Sequence, residues 1–401
     1  MKRGLASLLG LATLGVLGAA TAAPAQAASS DCPRGYFCAW KSDNATGTMF
    51  KTNKSLPTLG AWNNTFKSQV NRTSKIVCLY DKENYALGTY WSLDPMDGNG
   101  YDGDPTPSTS SLKLVSTERE CSDNAYPWWY AETSPRAAGF GDMNADRKAD
   151  VIVRDLAGRL WFLPGDGSGR MIGSGGWNGM NALVRHGDFS RDGREDVIAR
   201  EKSTGKLWLY PGTGTGSLGT RKLIGTGGWN GMTRITAVGD LSRDGRADLL
   251  AVERSTGKLW LYPGTSTGTL GARKLIGTGG WNSMNALAGP GDTNGDGRVD
   301  LMAREASTGK LWLYPGTSTG TLGARKLIGS GGWNVMDTFI AVGDFSGDGR
   351  VDLGTITNSA YVIYGYPGNP GWRVSYRGLG TGALSAGEPA DGNWWGLNGA
   401  F

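Results

Sequence analysis

Histidine is almost missing from this sequence: His186 is the only one in 401 residues. Zinc sites built on imidazole, and Ser-His-Asp or Cys-His catalysis, therefore have a single candidate side chain. Three related segments carry Val238, Pro290 and Val342 at the same place, and that variation suits a strand position better than a catalyst. Cysteine is confined to Cys32, Cys38, Cys78 and Cys121, so nothing beyond residue 121 is held by a disulfide. Excess charge is scarce as well. The formal net charge is +5, and without Lys2 and Arg3 it is +3 and scattered, too little for an electrostatic case for nucleic acid. After the first twenty or so positions no apolar run is long enough to span a bilayer.

The beginning of the chain reads as a leader. Lys2 and Arg3 precede the uncharged apolar run Leu5–Ala20, and Ala25-Gln26-Ala27 is a small-x-small cleavage signal. A basic start, a short apolar stretch and such a site describe a secretory signal peptide over 1–27, giving an extracellular protein with no transmembrane segment after its removal. Four cysteines in an exported chain read as two disulfides, for which three pairings exist. The short spacing favours Cys32–Cys38, leaving Cys78–Cys121.

Two grammars follow each other. A cysteine-bearing domain is expected over 28–122. Over 123–401 the chain repeats itself, with Gly-Asp pairs beginning at 141, 187, 239, 291 and 343. The segment STGKLWLYPGTSTGTLGARKLIG occurs unchanged at Ser255–Gly277 and Ser307–Gly329. A period near 50 residues indicates a propeller or solenoid. The second copy predicts four strands: Ala182–His186, Asp196–Glu201, Lys206–Tyr210 and Arg221–Ile224, with a Gly205 hairpin turn between the middle two. Leu207, Trp208, Leu209 and Tyr210 are all large, the pattern of a strand covered on both faces. Trp161, Trp208, Trp260 and Trp312 are accordingly expected in the core. Propeller blades are packed in that way, so the fold expected is all-β, with five blades over 123–401. In the last unit Gly380–Leu384 is read as a degenerate substitute for GTGGWN, and Asn393-Trp394-Trp395 as the piece that completes the first blade and removes a sheet edge.

The loop GDTNGDGRVD at Gly291–Asp300 places Asp292, Asn294 and Asp296 at positions 1, 3 and 5, Gly297 at 6, Arg298 at 7 and Asp300 at 9. Alternating oxygen ligands, a turn glycine and a main-chain carbonyl at 7 are the opening of an EF-hand loop, which points to calcium. The bidentate Glu at 12 is missing, so Asp300 has to complete the shell. The same spacing recurs at Asp188, Ser190, Asp192, Arg194 and Asp196; at Asp240, Ser242, Asp244, Arg246 and Asp248; and at Asp344, Ser346, Asp348, Arg350 and Asp352. In the first copy Asp142, Asn144, Asp146 and Asp150 keep the acids, but Arg147 replaces the glycine, predicting a strained turn. The competing reading is a set of Asx-turns that only satisfy backbone amides. These repeats resemble FG-GAP or VCBS-type propeller repeats, which implies a binding or scaffolding propeller carrying calcium in these loops.

A second motif is GGWN, with Trp177 and Asn178, Trp229 and Asn230, Trp281 and Asn282, and Trp333 and Asn334. Together with the LWLYPG upstream it is similar to five-bladed tachylectin-type propellers, and the resemblance implies repeated sites for N-acetylated sugars. An indole face with a neighbouring amide suits a sugar. The other reading makes each indole a wedge between blades, with glycines permitting close approach.

In the first domain Trp40–Gly47 and Tyr80–Gly88 both run aromatic, polar stretch, Asn, Gly. Each resembles the folded hairpin of a βγ-crystallin Greek key. With Cys32-Pro-x-Gly-x-x-Cys38, Trp62-Asn63-Asn64 and Val77–Tyr80, the domain resembles the crystallin-like peptidase inhibitors secreted by actinobacteria. That implies an extracellular protease, chiefly a metalloprotease, as partner. Lys67 follows Asn63–Phe66 where a crystallin calcium motif needs Ser or Thr, so no calcium is expected here.

Three functions compete. The first is a secreted non-enzymatic protein with an inhibitor-type head on a calcium-stabilised propeller that binds glycans or a cell-surface protein. The second is a lectin with a structural head. The third is a propeller hydrolase. Glu201, Glu253 and Glu305 recur in register as structural residues do, and the unrepeated Asp337 and Glu388 lack a visible partner, so no catalytic residue is assigned.

Overall fold

The computed structural model describes residues 29–85, 90–95, 108–122, 126–135, 140–185, 187–362, 370–392, 394 and 397–401. The expected leader, His186, Asn393 and Trp395 lie outside them. Among the described residues the regular structure is strands and short 3-10 turns, with no α-helix. No helix is long and apolar enough to cross a membrane.

The cysteine-bearing domain holds two three-stranded sheets built alike. Phe37–Trp40 is flanked by Met49–Thr52 and Ser68–Asn71, and Ile76–Tyr80 by Tyr90–Leu93 and Ser111–Val115. The two halves share one turn chemistry. Asn44, Ala45 and Tyr85 have φ of 58, 54 and 58°, and the Ala45 and Tyr85 amides donate to Ser68 Oγ and Ser111 Oγ at 3.0 and 3.1 Å. Those hydroxyls in turn donate to the carbonyls of Ser42 and Lys82. A side-chain oxygen from a neighbouring strand thus fixes each left-handed turn, a conformation that non-glycine residues adopt only when it is held. Leu56 crosses to bond Leu112 of the other sheet. Phe37, Phe66, Leu79 and Leu112 fill the space between, and both expected disulfides, Cys32–Cys38 and Cys78–Cys121, are formed.

Beyond residue 126 the described strands form five four-stranded antiparallel sheets. The second runs Met180–Arg185, Val197–Glu201, Leu207–Tyr210 and Lys222–Gly225 in sequence order, within two residues of expectation at each end. The third, fourth and fifth begin at Met232, Met284 and Met336. The first is closed by the end of the chain, because Leu397–Ala400 pairs with Val151–Asp155 ahead of Leu160–Leu163 and Arg170–Gly173. The closing strand is Leu397–Ala400, and Trp394, the described member of the expected Asn393-Trp394-Trp395 piece, lies outside any strand.

Packing is cyclic. Leu249 and Ala251 point into an apolar cluster shared with the second sheet, while Leu250 and Val252 point into one shared with the fourth. Further clusters join the fourth sheet to the fifth, the fifth to the first and the first to the second. The doubly covered strands expected from the LWLY run are explained by this. The four mid-strand tryptophans modify the expectation, since Trp161, Trp208, Trp260 and Trp312 are half-buried, with Trp161 and Trp260 packed against the core clusters. The guanidinium groups of Arg221, Arg273 and Arg325 lie over Trp208, Trp260 and Trp312 at 4.0, 3.9 and 3.9 Å from the ring centroids, and Arg159 covers Trp161 at 5.5 Å. A stacked cation shields the indole face that the sheet leaves uncovered.

Candidate functional site

In the second to fifth sheets the acidic loop joins the first and second strands, and in the first sheet it leads into Val151–Asp155. In each, the position-1 carboxylate bends the loop by accepting from the amides that follow it. Asp188 takes the N–H groups of Asp192 and Gly193 at 3.0 and 2.8 Å, and Asp240 those of Asp244 and Gly245 at 3.0 and 2.9 Å. Asp292 and Asp344 do the same for Gly297 and Gly349. Position-5 oxygens receive the amide two residues on, as Asp192, Asp296 and Asp348 do from Arg194, Arg298 and Arg350. The Asx-turn geometry is present, therefore, and some carboxylate oxygens are doubly engaged by it: Asp292 Oδ1 accepts from the Gly295 and Asp296 amides, and Asp344 Oδ2 from the Gly349 amide and the Ser134 hydroxyl.

The position-9 aspartates behave differently. Asp150, Asp196, Asp248, Asp300 and Asp352 are all fully buried. Four of them tie the loop to a distant turn. Asp196 accepts from Ser190 and Gly212, Asp248 from Ser242 and Gly264, Asp300 from Thr293 and Gly316, and Asp352 from Ser346 and Gly378. Burial raises their carboxyl pKa values, to about 6 for Asp196 and Asp248, and a neighbouring loop acid adds to the rise.

The first loop departs as its sequence implies. Arg147, in place of glycine, holds φ 69°, and its guanidinium reaches the Ser134 carbonyl. Asp150 Oδ1 is buried without a hydrogen-bond partner, and burial pushes its pKa up to about 8 despite the nearby Arg185.

A hard cation fits this donor set in kind: every offered atom is oxygen, and loop acids repel the buried Asp in all five copies. Ser346 Oγ, at position 3 of the fifth loop, is buried without a partner. Two features oppose a tight site. Among the described residues no three acidic, His or Cys side chains converge as a metal-holding group. Arg246 and Arg298 also pair with the position-5 acids Asp244 and Asp296 at 3.0 and 2.9 Å.

All five loops meet at one end of the ring. Asp142, Asp292 and Asp344 line a cavity of about 230 Å³, and Asp188 and Asp240 line one of about 390 Å³, with Phe140 bordering both. Beneath them runs an unrepeated contact. Arg185 pairs with Glu195 at 3.2 Å, both fully buried, and Glu195 also accepts from the Gly141 amide. Alanine or glycine replaces Arg185 in the third to fifth sheets, and Ala149, Ala247, Val299 or Val351 replaces Glu195. No charge periodicity announces this pair.

At the opposite end lie the GGWN turns. Trp229, Trp281 and Trp333 are buried and Trp177 is half-buried. Each indole is trapped between a glycine of one sheet and a tyrosine of the next. Trp281 stacks on Tyr314 at 4.8 Å, and a Cβ on Gly277 would lie 2.1 Å from its Nε1. Trp177, Trp229 and Trp333 meet Tyr210, Tyr262 and Tyr376 in the same way. The amides of Asn178, Asn230, Asn282 and Asn334 donate to the carbonyls of Leu156, Lys202, Arg254 and Ala306. The wedge reading accounts for these eight residues, and the indole faces expected to carry a sugar are taken up by packing.

The fifth copy of this turn is Trp394. Its amide donates to Gly371, as those of Trp177, Trp229, Trp281 and Trp333 do to Gly158, Gly205, Gly257 and Gly309. Gly380–Leu384 instead matches the turn before the fourth strand, since Gly378 bridges Leu384 as Gly264 bridges Leu270 and Gly316 bridges Leu322. Expected acids prove structural: Glu201, Glu253 and Glu305 accept from Thr204, Thr256 and Thr308 within their hairpins.

Comparison with known proteins agrees with the division into two parts. Residues 25–93 match peptidase inhibitor family I36, and residues 188–251, 240–303 and 292–355 each match the FG-GAP-like repeat. The chain thus carries an I36 inhibitor domain followed by FG-GAP-like repeats. No curated protein matches it. Among solved structures, a lectin of Agrocybe aegerita, described as recognising non-reducing terminal N-acetylglucosamine, is similar at 12% identity and a TM-score of 0.38, covering 90% of this chain and 92% of its own.

Proposed function

We propose that the protein is a secreted, non-enzymatic peptidase inhibitor whose head is carried on a five-bladed β-propeller that binds a glycan or a cell-surface protein. The I36 match over residues 25–93 carries the reading. The build of the head supports it: two three-stranded sheets built alike and linked by the Leu56 crossing, fixed turns, and a disulfide in each half. A pre-ordered inhibitor loses little freedom on docking, so more of its contact energy appears as affinity. The test is titration of a thermolysin-like zinc protease and a subtilisin-like serine protease with the mature chain. Stoichiometric inhibition of one of them is expected, and it should be lost when Cys78 and Cys121 are both replaced by Ser. Full activity of both enzymes in excess folded protein would remove the inhibitor reading.

Calcium in the four loops that keep their glycine, at Asp188–Asp196, Asp240–Asp248, Asp292–Asp300 and Asp344–Asp352, is the second element of the proposal. The all-oxygen donor set and the mutual repulsion of the loop acids support it. Three carboxylates and a competing arginine place the affinity at roughly 10⁻⁴–10⁻³ M, the range of extracellular modules. Raising calcium from chelated conditions to a few times that concentration should lift the melting temperature of the propeller by several degrees, as linkage requires. Magnesium, which accepts irregular shells reluctantly, should do less. A melting temperature indifferent to calcium would leave the loops as Asx-turns only.

A further inference from the structure

Arginines in three sheets perform one task. Arg154 Nη1 donates to the carbonyls of Trp177 and Met180, Arg200 Nη1 to those of Trp229 and Met232, and Arg304 Nη1 to those of Trp333 and Met336. Each guanidinium thus crosses from one sheet to the Trp-Asn turn leading into the next. The Nε atom is held by the first strand of the arginine's own sheet: Arg200 and Arg304 donate to Asn181 Oδ1 and Asn285 Oδ1, both at 2.7 Å, and Arg154 to the Asn398 carbonyl. Arg200 and Arg304 are almost wholly buried, so both halves of the clamp are needed.

The other two sheets lack this arginine, and they differ in what remains. In the third sheet Val252 replaces it and Thr233 replaces the asparagine, so donor and acceptor have gone together. Arg234 of the same strand lies there instead, donating to Thr233 Oγ1 at 3.2 Å. In the fifth sheet Ile356 replaces the arginine, but the acceptor has become a carboxylate, Asp337. Ile356 is too short to span the gap, and a cavity of about 330 Å³ lies between the fifth and first sheets. Asp337, Ile356, Asn358, Trp394 and Leu397 are among its walls. Trp394 and Leu397 supply the two positions whose carbonyls receive the guanidinium at the other junctions. Asp337 is exposed and makes no hydrogen bond or ion pair among the described residues, although Arg304 is near enough to feel its charge.

We infer that this cavity is a receptor site for the guanidinium of an arginine side chain presented by a partner polypeptide, which takes the place of the missing arginine of the fifth sheet. Asp337 faces Nε, and the main-chain carbonyls of Trp394 and Leu397 accept from Nη. A planar fork of N–H donors matches this arrangement of acceptors, whereas an ammonium has the charge without the shape. The site is independent of the inhibitor head and of the calcium loops, which lie at the other end of the ring.

Ligand-observed NMR with the full mature chain and the blocked tripeptide acetyl-Gly-Arg-Gly-amide tests the assignment. The lysine and citrulline tripeptides serve as controls. The arginine peptide is expected to bind, the lysine peptide several-fold more weakly, and the uncharged citrulline peptide at least about tenfold more weakly. Asp337→Ala should weaken the arginine peptide by about tenfold or more. Ile356→Arg should fill the cavity from within, abolish peptide binding and raise the melting temperature. Absence of binding by the wild-type chain, equal binding of arginine and citrulline peptides, or undiminished binding by folded Ile356→Arg overturns the inference. Should Ile356→Arg fail to fold, Asp337→Ala decides: unchanged affinity overturns it.

Discussion

Removing residues 397–401 is expected to abolish the cooperative unfolding transition of the repeat region and to leave soluble aggregates. The reason is topological. Leu397–Ala400 is the first strand of the first sheet, and Phe401 exchanges two backbone hydrogen bonds with Ile152 at 2.8 and 2.9 Å. Without it, Val151–Asp155 becomes an unprotected edge, the feature that invites pairing between chains. Leu397 and Ala400 also belong to the cluster joining the fifth sheet to the first, so the loss opens the ring as well as exposing an edge. Differential scanning calorimetry and light scattering on the truncated chain check this. A melting temperature within a few degrees of wild type would show that the ring holds without its closing strand.

Asp248→Ala is expected to cost about 2–4 kcal/mol, because it leaves the Ser242 and Gly264 amides without their acceptor in a buried site. Denaturant unfolding of the repeat region measures it. The cost should depend on pH in a defined direction. Burial raises the Asp248 pKa from 3.8 to about 6. A carboxyl raised in the folded state stabilises below its unfolded value, and the contribution is lost as pH climbs through the folded value. In chelator, the gap between wild type and Asp248→Ala should therefore be widest near pH 4 and narrow towards pH 7. Calcium at pH 7 should widen it again, since it binds the ionised form. A gap that stays constant across this range would mean that the Asp248 carboxyl does not titrate there.

Repetition made the strands legible. The Gly-Asp spacing and the LWLY runs place the second, third and fourth sheets because each copy corroborates the others, and the short Cys32–Cys38 spacing favours, among three pairings, the one that is formed. The sequence was least informative where one sheet touches the next. Arg154, Arg200 and Arg304 look like ordinary polar residues at strand ends, and only the fold shows that their guanidinium groups cross a junction. Trp208 reads as core because its neighbours are core, whereas it is half-buried under Arg221, a contact that periodicity does not reveal. Trp394 reads as part of a strand because Gly392-Asn393-Trp394 has lost the GGWN spelling, although Trp394 keeps the hydrogen bond of that turn. The acidic loops are plain in the sequence, but spacing alone does not show that four of the ninth-position aspartates also hold a glycine amide on another turn.

The two identical stretches Ser255–Gly277 and Ser307–Gly329 have a consequence for how the chain finds its own order. A nascent third sheet and a nascent fourth sheet are locally interchangeable, so nothing within those stretches tells a folding chain which neighbour comes next. The information that numbers the sheets has to reside in the exceptions. The buried Arg185–Glu195 pair belongs only where the first sheet meets the second, Val252 with Thr233 marks the third, Asp337 with Ile356 marks the fifth, and Trp394 with Leu397–Ala400 marks the join. A buried charge pair contributes little net stability but penalises every arrangement that separates it. Each irregular residue thus acts as an address on an otherwise uniform ring, and a chain edited to perfect repetition would gain symmetry while losing its sense of sequence.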